Sequence, residues 1–489
     1  MNPLRPYSLP GQRRYCRLLP PGKLGSREGN GTAELTPVLS ALVDRLEDDG
    51  TRPNNGRPDI AIQAGYTYFG QFIDHDLTNT ASSLEESASL EPENTFNQNT
   101  PFLDLSHLYG KGPWDETDYQ LYEKDDVRLR IGEKVDSVVD DSQGRRSFDL
   151  ALGEDGYPLA ADARASENII LRQITAVFAR LHNAAVEQLR PVIKDKQRLF
   201  ARARQQTAWQ FQYFVRDDYL RAVLNPRIYE VVFAANRPMI HWDTFSIPIE
   251  FAVGAMRFGH SMVRNGYDLS NVTTKTLAEM TQRGTHPGAL EPEWEIDWGR
   301  FLQNASRGGP ATSAQPIDVK ISPGLLNLSV ETLNLFYRRS GTPTPTPVPP
   351  APIKLPLVTL LRGLTMRLPS GQEAARLVGE SVLTRDELTH NLDGTELDIA
   401  DALEQHGLLD DTPLWFYILR ESEVRENGSR LGPTGSRIVA ETVHAALRYD
   451  PFSIMNHPEI GQKLPEWEFP SGKTQLRSLA ALFDRSLEF

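Results

Sequence analysis

Apolar side chains recur at three- and four-residue steps through much of the chain. In "ENIILRQITAVFARLHNAAVEQLR" the residues Ile170, Ile174, Val177, Phe178, Leu181, Ala185 and Leu189 follow this period, and Pro191 stops it. The spacing predicts a long helix. The same period runs through "ARQQTAWQFQYFVRDDYLRAVL", "FAVGAMRFGHSMV" and "SRIVAETVHAALRY", whereas alternating runs are few and short. A mainly α fold with little β-structure follows. Residues 1–55 are rich in Pro, Gly and Arg and read as an N-terminal arm lying on a core, which leaves 56–489 as one large helical domain. Within it "SGTPTPTPVPPAP", residues 340–352, has polyproline character and no core-forming pattern, so it reads as a surface excursion.

The chain has 489 residues, of which 39% are hydrophobic and 24% charged, a globular composition with ample material for a core. Its formal net charge of -13 disfavours nucleic acid and anionic membranes as partners, because neither would be attracted at long range. Cys16 is the single cysteine, so an intramolecular disulfide and a cysteine-built zinc or iron–sulfur site are both excluded. Any metal must therefore be held by histidine, carboxylate or carbonyl ligands, or arrive within a cofactor. The opening "MNPLRPYSLPGQRRYCRLLPPGKLG" breaks its apolar residues with Arg and Pro and has no signal-peptide core, and no later run is apolar enough to span a membrane. The expectation is a soluble protein, cytoplasmic or exported by a non-standard route.

Candidate chemistry begins at "GQFIDHDLTN", residues 70–79. On a helix, Gln71 and His75 share a face, Asp74 flanks them, and Asp76 points away from His75. The two carboxylates then have different tasks, unless the stretch is simply a solvated acidic turn. Downstream, "TPFLDLSHLYG" spaces Thr100, Phe102, Asp104 and Ser106 so that hydroxyl, carbonyl and carboxylate oxygens alternate. Such a loop suits a hard cation such as calcium, with Asp76 as a further ligand, and equally suits a turn whose Asp and Ser cap the next helix. In "ADARASENIILRQ" Arg164 and Glu167 lie three apart at the start of the long helix, a spacing that also fits an intrahelical salt bridge. In "GAMRFGHSMV" Arg257 and His260 are likewise three apart, and "LLRGLTMRLPSGQ" carries Arg362 ahead of a Pro-Ser-Gly turn.

These five elements, in this order, resemble the animal-type haem peroxidase superfamily, in a form similar to its bacterial members. The likeness spans roughly residues 60 to 450 and includes the later "LWFYILRESEVRENGSRLGPTGSRIVAETVHAALRYDPFS". The resemblance implies a haem b cofactor, with His75 as distal histidine, Gln71 as its hydrogen-bonding neighbour, Arg164 as distal arginine and His260 as the proximal iron ligand. It implies calcium held by Asp76, Thr100, the Phe102 carbonyl, Asp104 and Ser106, and Arg362 beside a haem propionate. Asp74 and Glu167 occupy the positions from which family members form ester bonds to haem. Asn168 follows Glu167, so the methionine needed for a sulfonium link is absent.

The chemistry explains the residue types. Peroxide cleavage needs a neutral imidazole to move a proton from the inner to the outer oxygen, which suits His75. A fixed guanidinium stabilises the charge developing on the leaving oxygen, which suits Arg164. The proximal imidazole is made more electron-rich by donating its other N–H, a bond that the family usually completes with an asparagine. Here that position is Thr359. The reaction implied is peroxide-dependent oxidation of small phenols, halides or thiocyanate through a ferryl intermediate. Two alternatives are a fatty-acid dioxygenase of the same superfamily and a non-catalytic, calcium-bearing structural or adhesive protein. The dioxygenases carry a tyrosine three residues before the proximal histidine, where this chain has Arg257. No sequence feature marks the physiological reductant or the oligomeric state.

Overall fold

The computed structural model describes residues 14–23, 31–48, 62–80, 95–135, 147–242, 244–302, 311–329, 353–389, 401, 403–457, 464–469 and 471–485. The proline-rich stretch 340–352 lies outside them. The fold is mainly α. Among the described residues the strands form three separate antiparallel pairs, Ile131–Val135 with Ser147–Leu150, Gly266–Asp268 with Thr274–Thr276, and Trp467–Phe469 with Gly472–Thr474.

The long helix predicted from periodicity runs Ile169–Leu189. It starts at Asn168 because that side chain accepts from the otherwise unsatisfied N–H groups of Ile170 and Leu171. Helix Lys196–Tyr213 is capped in the same way by Asp195 and packs along it. Phe69 and Phe72 of helix Ala64–Leu77 interleave with Phe178 and Phe211 from these two helices, and ring centroids lie 4.9 Å apart for Phe72–Phe178 and 6.0 Å for Phe69–Phe211. This aromatic cluster joins the three helices into one core. Inside it, Arg172 is fully buried and paired with Asp149, whose carboxylate also accepts from the Leu290 N–H.

Three sequence-predicted helices differ from a regular α form. The second continues beyond Tyr213 as a π-helical segment, Phe214–Tyr219, and ends in a short helix, Leu220–Val223. The "FAVGAMRFGHSMV" segment is a π turn, Glu250–Gly254, followed by a tighter 3-10 segment, Ala255–His260. Arg164 and Glu167 lie in and just after a 3-10 turn, Ala163–Ser166, ahead of the long helix. Within the first 55 residues, Tyr15 and Cys16 run beside Thr95 and residues 247–249. Helix Gly31–Asp44 packs on helix Leu355–Thr365.

Helices Leu414–Glu426 and Pro433–Arg448 support the segment that carries His260. The Trp415 indole donates to the Arg257 carbonyl at 3.0 Å, and its ring meets His260 at 6.2 Å. The second helix is fastened to the first by Glu421, whose carboxylate accepts from the Thr434 N–H and hydroxyl and from the Gly435 N–H. Gly432 is needed at this helix start, because a Cβ there would come within 2.5 Å of Glu421. Replacing Glu421 by Ala leaves buried donors unsatisfied and should cost about 2–3 kcal/mol, whereas Glu421→Gln retains an acceptor oxygen and should cost clearly less. Urea unfolding of the two variants beside the wild type checks this order.

Candidate active site

Gln71, Asp74, His75, Arg164, Glu167, Arg257, His260, Thr359 and Arg362, expected together on sequence grounds, all line one cavity of about 400 Å³. They arrive from four separate stretches of chain. Helix Ala64–Leu77 presents Gln71, Asp74 and His75, and its last turn is gripped from outside. Asn99 donates to the His75 and Asp76 carbonyls, and Asn97 donates to the Leu77 carbonyl. These contacts satisfy acceptors that a helix end leaves open, and they hold the turn bearing His75 in place.

Arg164 adds to that grip. Its Nη2 donates to the Thr78 carbonyl at 2.7 Å and to the His75 carbonyl at 3.2 Å. The guanidinium is paired with Asp162 through Nε at 3.1 Å and Nη2 at 2.6 Å, and Asp162 also caps the Arg164 N–H. The ion partner is thus Asp162, and not the Glu167 that the three-residue spacing suggested. A 3-10 turn separates Arg164 from the long helix, and the carboxylate two residues upstream is closer. Burial alone would raise Asp162, but the Arg164 charge and its hydrogen bonds outweigh it and hold the carboxyl below its usual range. Burial likewise opposes the charge on Arg164, and Asp162 more than restores it.

Gln71 bridges the pocket wall. It donates to the Glu167 carboxylate at 2.8 Å and faces the Asn168 amide at 3.4 Å, while His75 Nε2 lies 3.6 Å from the same Glu167 oxygen. Desolvation, reinforced by Arg164, His107 and Arg257, lowers His75 well below an ordinary histidine, so its imidazole is neutral near pH 7. Desolvation also raises Glu167 to about 7 despite the opposing pull of Arg164.

His260 is lowered to about 3, first by desolvation and then by Arg257, so it too is neutral. Its Nδ1 lies 3.4 Å from the Thr359 hydroxyl oxygen, and that hydroxyl donates its own hydrogen to the Leu355 carbonyl at 3.0 Å. Thr359 therefore offers Nδ1–H an acceptor, a tautomer that leaves the Nε2 lone pair available to a metal. Arg257 pairs with Asp74 at 2.9 Å and donates to the Ala252 carbonyl, which ties helix Ala64–Leu77 to the His260 segment.

Asp76 faces away from the cavity. It is fully buried and accepts from the Leu105 N–H at 3.0 Å, with His107 Nδ1 at 2.9 Å and the Ser106 hydroxyl at 3.4 Å. Leu105 takes a left-handed φ of 58°, an unfavourable conformation for a branched side chain that the Asp76 contact helps to hold. Asp104 accepts from the Ser106 N–H, and the Phe102 carbonyl accepts from Asp104. The Thr100 hydroxyl is buried with no protein partner. Thr100, the Phe102 carbonyl, Asp104 and Ser106 thus lie along one loop, and Asp76 reaches it from helix Ala64–Leu77. Among the described residues no group of three or more His, Cys, Asp or Glu side chains is placed to hold a metal ion.

Several residues at this site were not singled out from sequence. Asp162 had a usable signal, a carboxylate two residues before the arginine at a helix start. Asn97 and Asn99 lie in the asparagine-rich "NTFNQNT". Tyr15, which lines the cavity and accepts from the Thr80 hydroxyl at 2.8 Å, had none. Removing Asp162 should strand the Arg164 charge: Asp162→Ala is expected to destabilise the haem-free protein by about 3–5 kcal/mol, and Asp162→Asn by less, in urea unfolding.

The animal haem peroxidase family model matches residues 82–461, more than half of the chain. That match includes Arg164, His260 and Arg362 and begins after His75. A peroxidase-like protein of Margaritifera margaritifera is 27% identical over 291 residues, covering 46% of this chain and 34% of that protein. Thyroid peroxidase of Rattus norvegicus is 23% identical over 383 residues, covering 75% of this chain and 39% of that protein. The chain thus spans 34% to 39% of the length of these two relatives. Among solved structures, peroxidase A from Dictyostelium discoideum superposes with a TM-score of 0.63 at 15% identity, covering 100% of this chain and 98% of that one. A fatty acid alpha-dioxygenase from Arabidopsis thaliana gives 0.61 at 15%, covering 92% and 74%. The two structures share the fold, and the family match carries the assignment: this chain belongs to the animal haem peroxidases.

Proposed function

We propose that the chain binds haem b in this cavity and reduces hydrogen peroxide while oxidising small phenols, halides or thiocyanate. The observation that carries the reading is the meeting of a neutral His75, a pinned Arg164 and a neutral His260 around one cavity. Haem, when bound, supplies the iron that exchanges electrons with peroxide and reductant. His260 would hold it through Nε2, with Thr359 orienting the ring, and Arg362 would meet a propionate. His75 takes the proton from the inner peroxide oxygen and returns it to the outer one, work that needs an imidazole already free of its proton. Arg164 cannot lose its charge and is held rigidly, so it stabilises the leaving oxygen without reorganising. Gln71 keeps Glu167 in place beside His75. Asp74 and Glu167 both face the cavity and would supply the carboxylates for one or two ester links to haem.

The position three residues before His260 is a guanidinium committed to Asp74, which cannot relay a radical as a tyrosine would. This favours peroxidase over dioxygenase chemistry. With the haem-loaded protein, His260→Ala should lose haem or its normal ferric spectrum, while a change at the exposed His286 should not. Turnover of a phenolic dye or iodide should fall about 10²–10⁴-fold in His75→Ala and about 10²-fold in Arg164→Ala. Oxygen uptake on linoleate by the unmodified protein would point instead to the dioxygenase reading.

The loop of Thr100, Phe102, Asp104 and Ser106, with Asp76, fits calcium in its oxygen donors and in the unpartnered Thr100 hydroxyl. A calcium ion there would lock the loop against the turn that carries His75. Chelation, or Asp104→Ala, should therefore lower thermal stability and haem retention together, and elemental analysis should find calcium in the wild type only. A calcium-free wild type that retains haem would reduce the loop to a capping turn.

A further inference from the structure

The cavity wall includes Tyr219, which stacks on a second tyrosine, Tyr66, and the peroxide chemistry above uses neither. Tyr219, at the end of the π-helical segment Phe214–Tyr219, lines the cavity and is 2% exposed. Gly70 makes room for it, since a Cβ on that helix position would meet the Tyr219 hydroxyl at 2.4 Å. Tyr219 stacks on Tyr66, with centroids 6.3 Å apart and planes 20° apart. Tyr66 does not line the cavity and is partly exposed. Its hydroxyl donates to Asp218 at 2.5 Å, and the other Asp218 oxygen accepts from the Leu479 N–H at 2.6 Å, which fixes the carboxylate.

We propose that Tyr219, Tyr66 and Asp218 form a proton-coupled relay carrying oxidising equivalents outward to Tyr66, which oxidises phenolic groups on molecules too large to enter the cavity. A phenol that gives up an electron becomes a strong acid, so its proton must have somewhere to go at that moment. Tyr66 has Asp218 in direct contact. Burial and the adjacent carboxylate raise Tyr66 far above an ordinary tyrosine, so the proton stays on the phenol until the electron leaves. Tyr68 offers an internal contrast. It also lines the cavity and meets Tyr267 edge-on at 5.7 Å, but both rings are buried and Tyr267 stacks onward on the core residue Phe301. Among the described residues neither Tyr68 nor Tyr267 is exposed or hydrogen-bonded to a carboxylate.

The electron count closes. One hydrogen peroxide takes two electrons and two protons to become two waters in the cavity. For each electron, Tyr66 gives one inward across the stacked Tyr219 ring, which keeps its own proton, and the Tyr66 proton moves to Asp218. A docked phenol then returns an electron to Tyr66, Asp218 gives back the proton, and the docked phenol releases its own proton to water. Two phenols become two phenoxyl radicals for each peroxide.

The inference rests on the peroxidase reading, and the test separates the two. Haem-loaded wild type, Tyr66→Phe, Asp218→Asn and the exposed-surface control Tyr119→Phe are given peroxide with a free phenol or with the same phenol tethered to dextran. Freeze-quench EPR is recorded without reductant. Tyr66→Phe and Asp218→Asn should lose about tenfold or more of the tethered-phenol rate and keep the free-phenol rate within about twofold, while Tyr119→Phe keeps both. The tyrosyl EPR signal of the wild type should change in Tyr66→Phe and not in Tyr119→Phe. Equal losses on both substrates, or an unchanged tethered rate or radical signal in Tyr66→Phe, overturn the relay. Wild-type oxidation of the free phenol alone also overturns it, whereas failure with both phenols and with iodide overturns the peroxidase reading itself.

Discussion

Three consecutive residues on one helical turn are held by separate parts of the chain, and the geometry of the cavity depends on it. Asp74 is drawn to Arg257 beside His260, and Asp76 to the backbone and ring of residues 105–107. Between them the His75 carbonyl is bound by Arg164 and Asn99. A helix end is ordinarily a place of fraying, because its last carbonyls lack partners. Here those carbonyls are the anchor points, so the imidazole is positioned by its backbone and its ring remains free to face the cavity.

The same arrangement sorts the charges. Desolvation acts on every titratable group at the cavity, and the outcome differs with the neighbour each group has. Both histidines are driven neutral, with Arg257 adding to the effect at each. Glu167, whose principal partners are an amide and a neutral ring, rises to about 7. Asp162 is equally enclosed yet held down, since the Arg164 guanidinium contacts it through two nitrogens. The site thus keeps two neutral imidazoles, the pinned Arg164 cation and the readily protonated Glu167 within a single cavity.

Backbone irregularity delivers the remaining groups. Tyr219 ends a π-helical segment, and His260 ends a 3-10 segment that follows another π turn. Such departures from the α-helical repeat rotate the following side chains off the face that periodicity assigns them. Trp415, carried on the helix that Glu421 fastens to its neighbour, braces the His260 segment by holding its backbone.

The sequence by itself determined the helical class, the long Ile169–Leu189 helix and the candidates His75, Arg164 and His260, because helical period and side-chain chemistry are local properties. The outward direction of Asp76 was also legible, since it follows from the angle per residue on a helix. The identity of the Arg164 partner was not. Spacing favoured Glu167, and a 3-10 turn gave the contact to Asp162 instead. The pairing of Arg257 with Asp74, the Asn97 and Asn99 clasp and the Tyr219–Tyr66–Asp218 stack all join residues far apart in the chain. Only the packing of helices against one another brings such groups within hydrogen-bonding distance, and no one-dimensional pattern records which of many polar residues will meet.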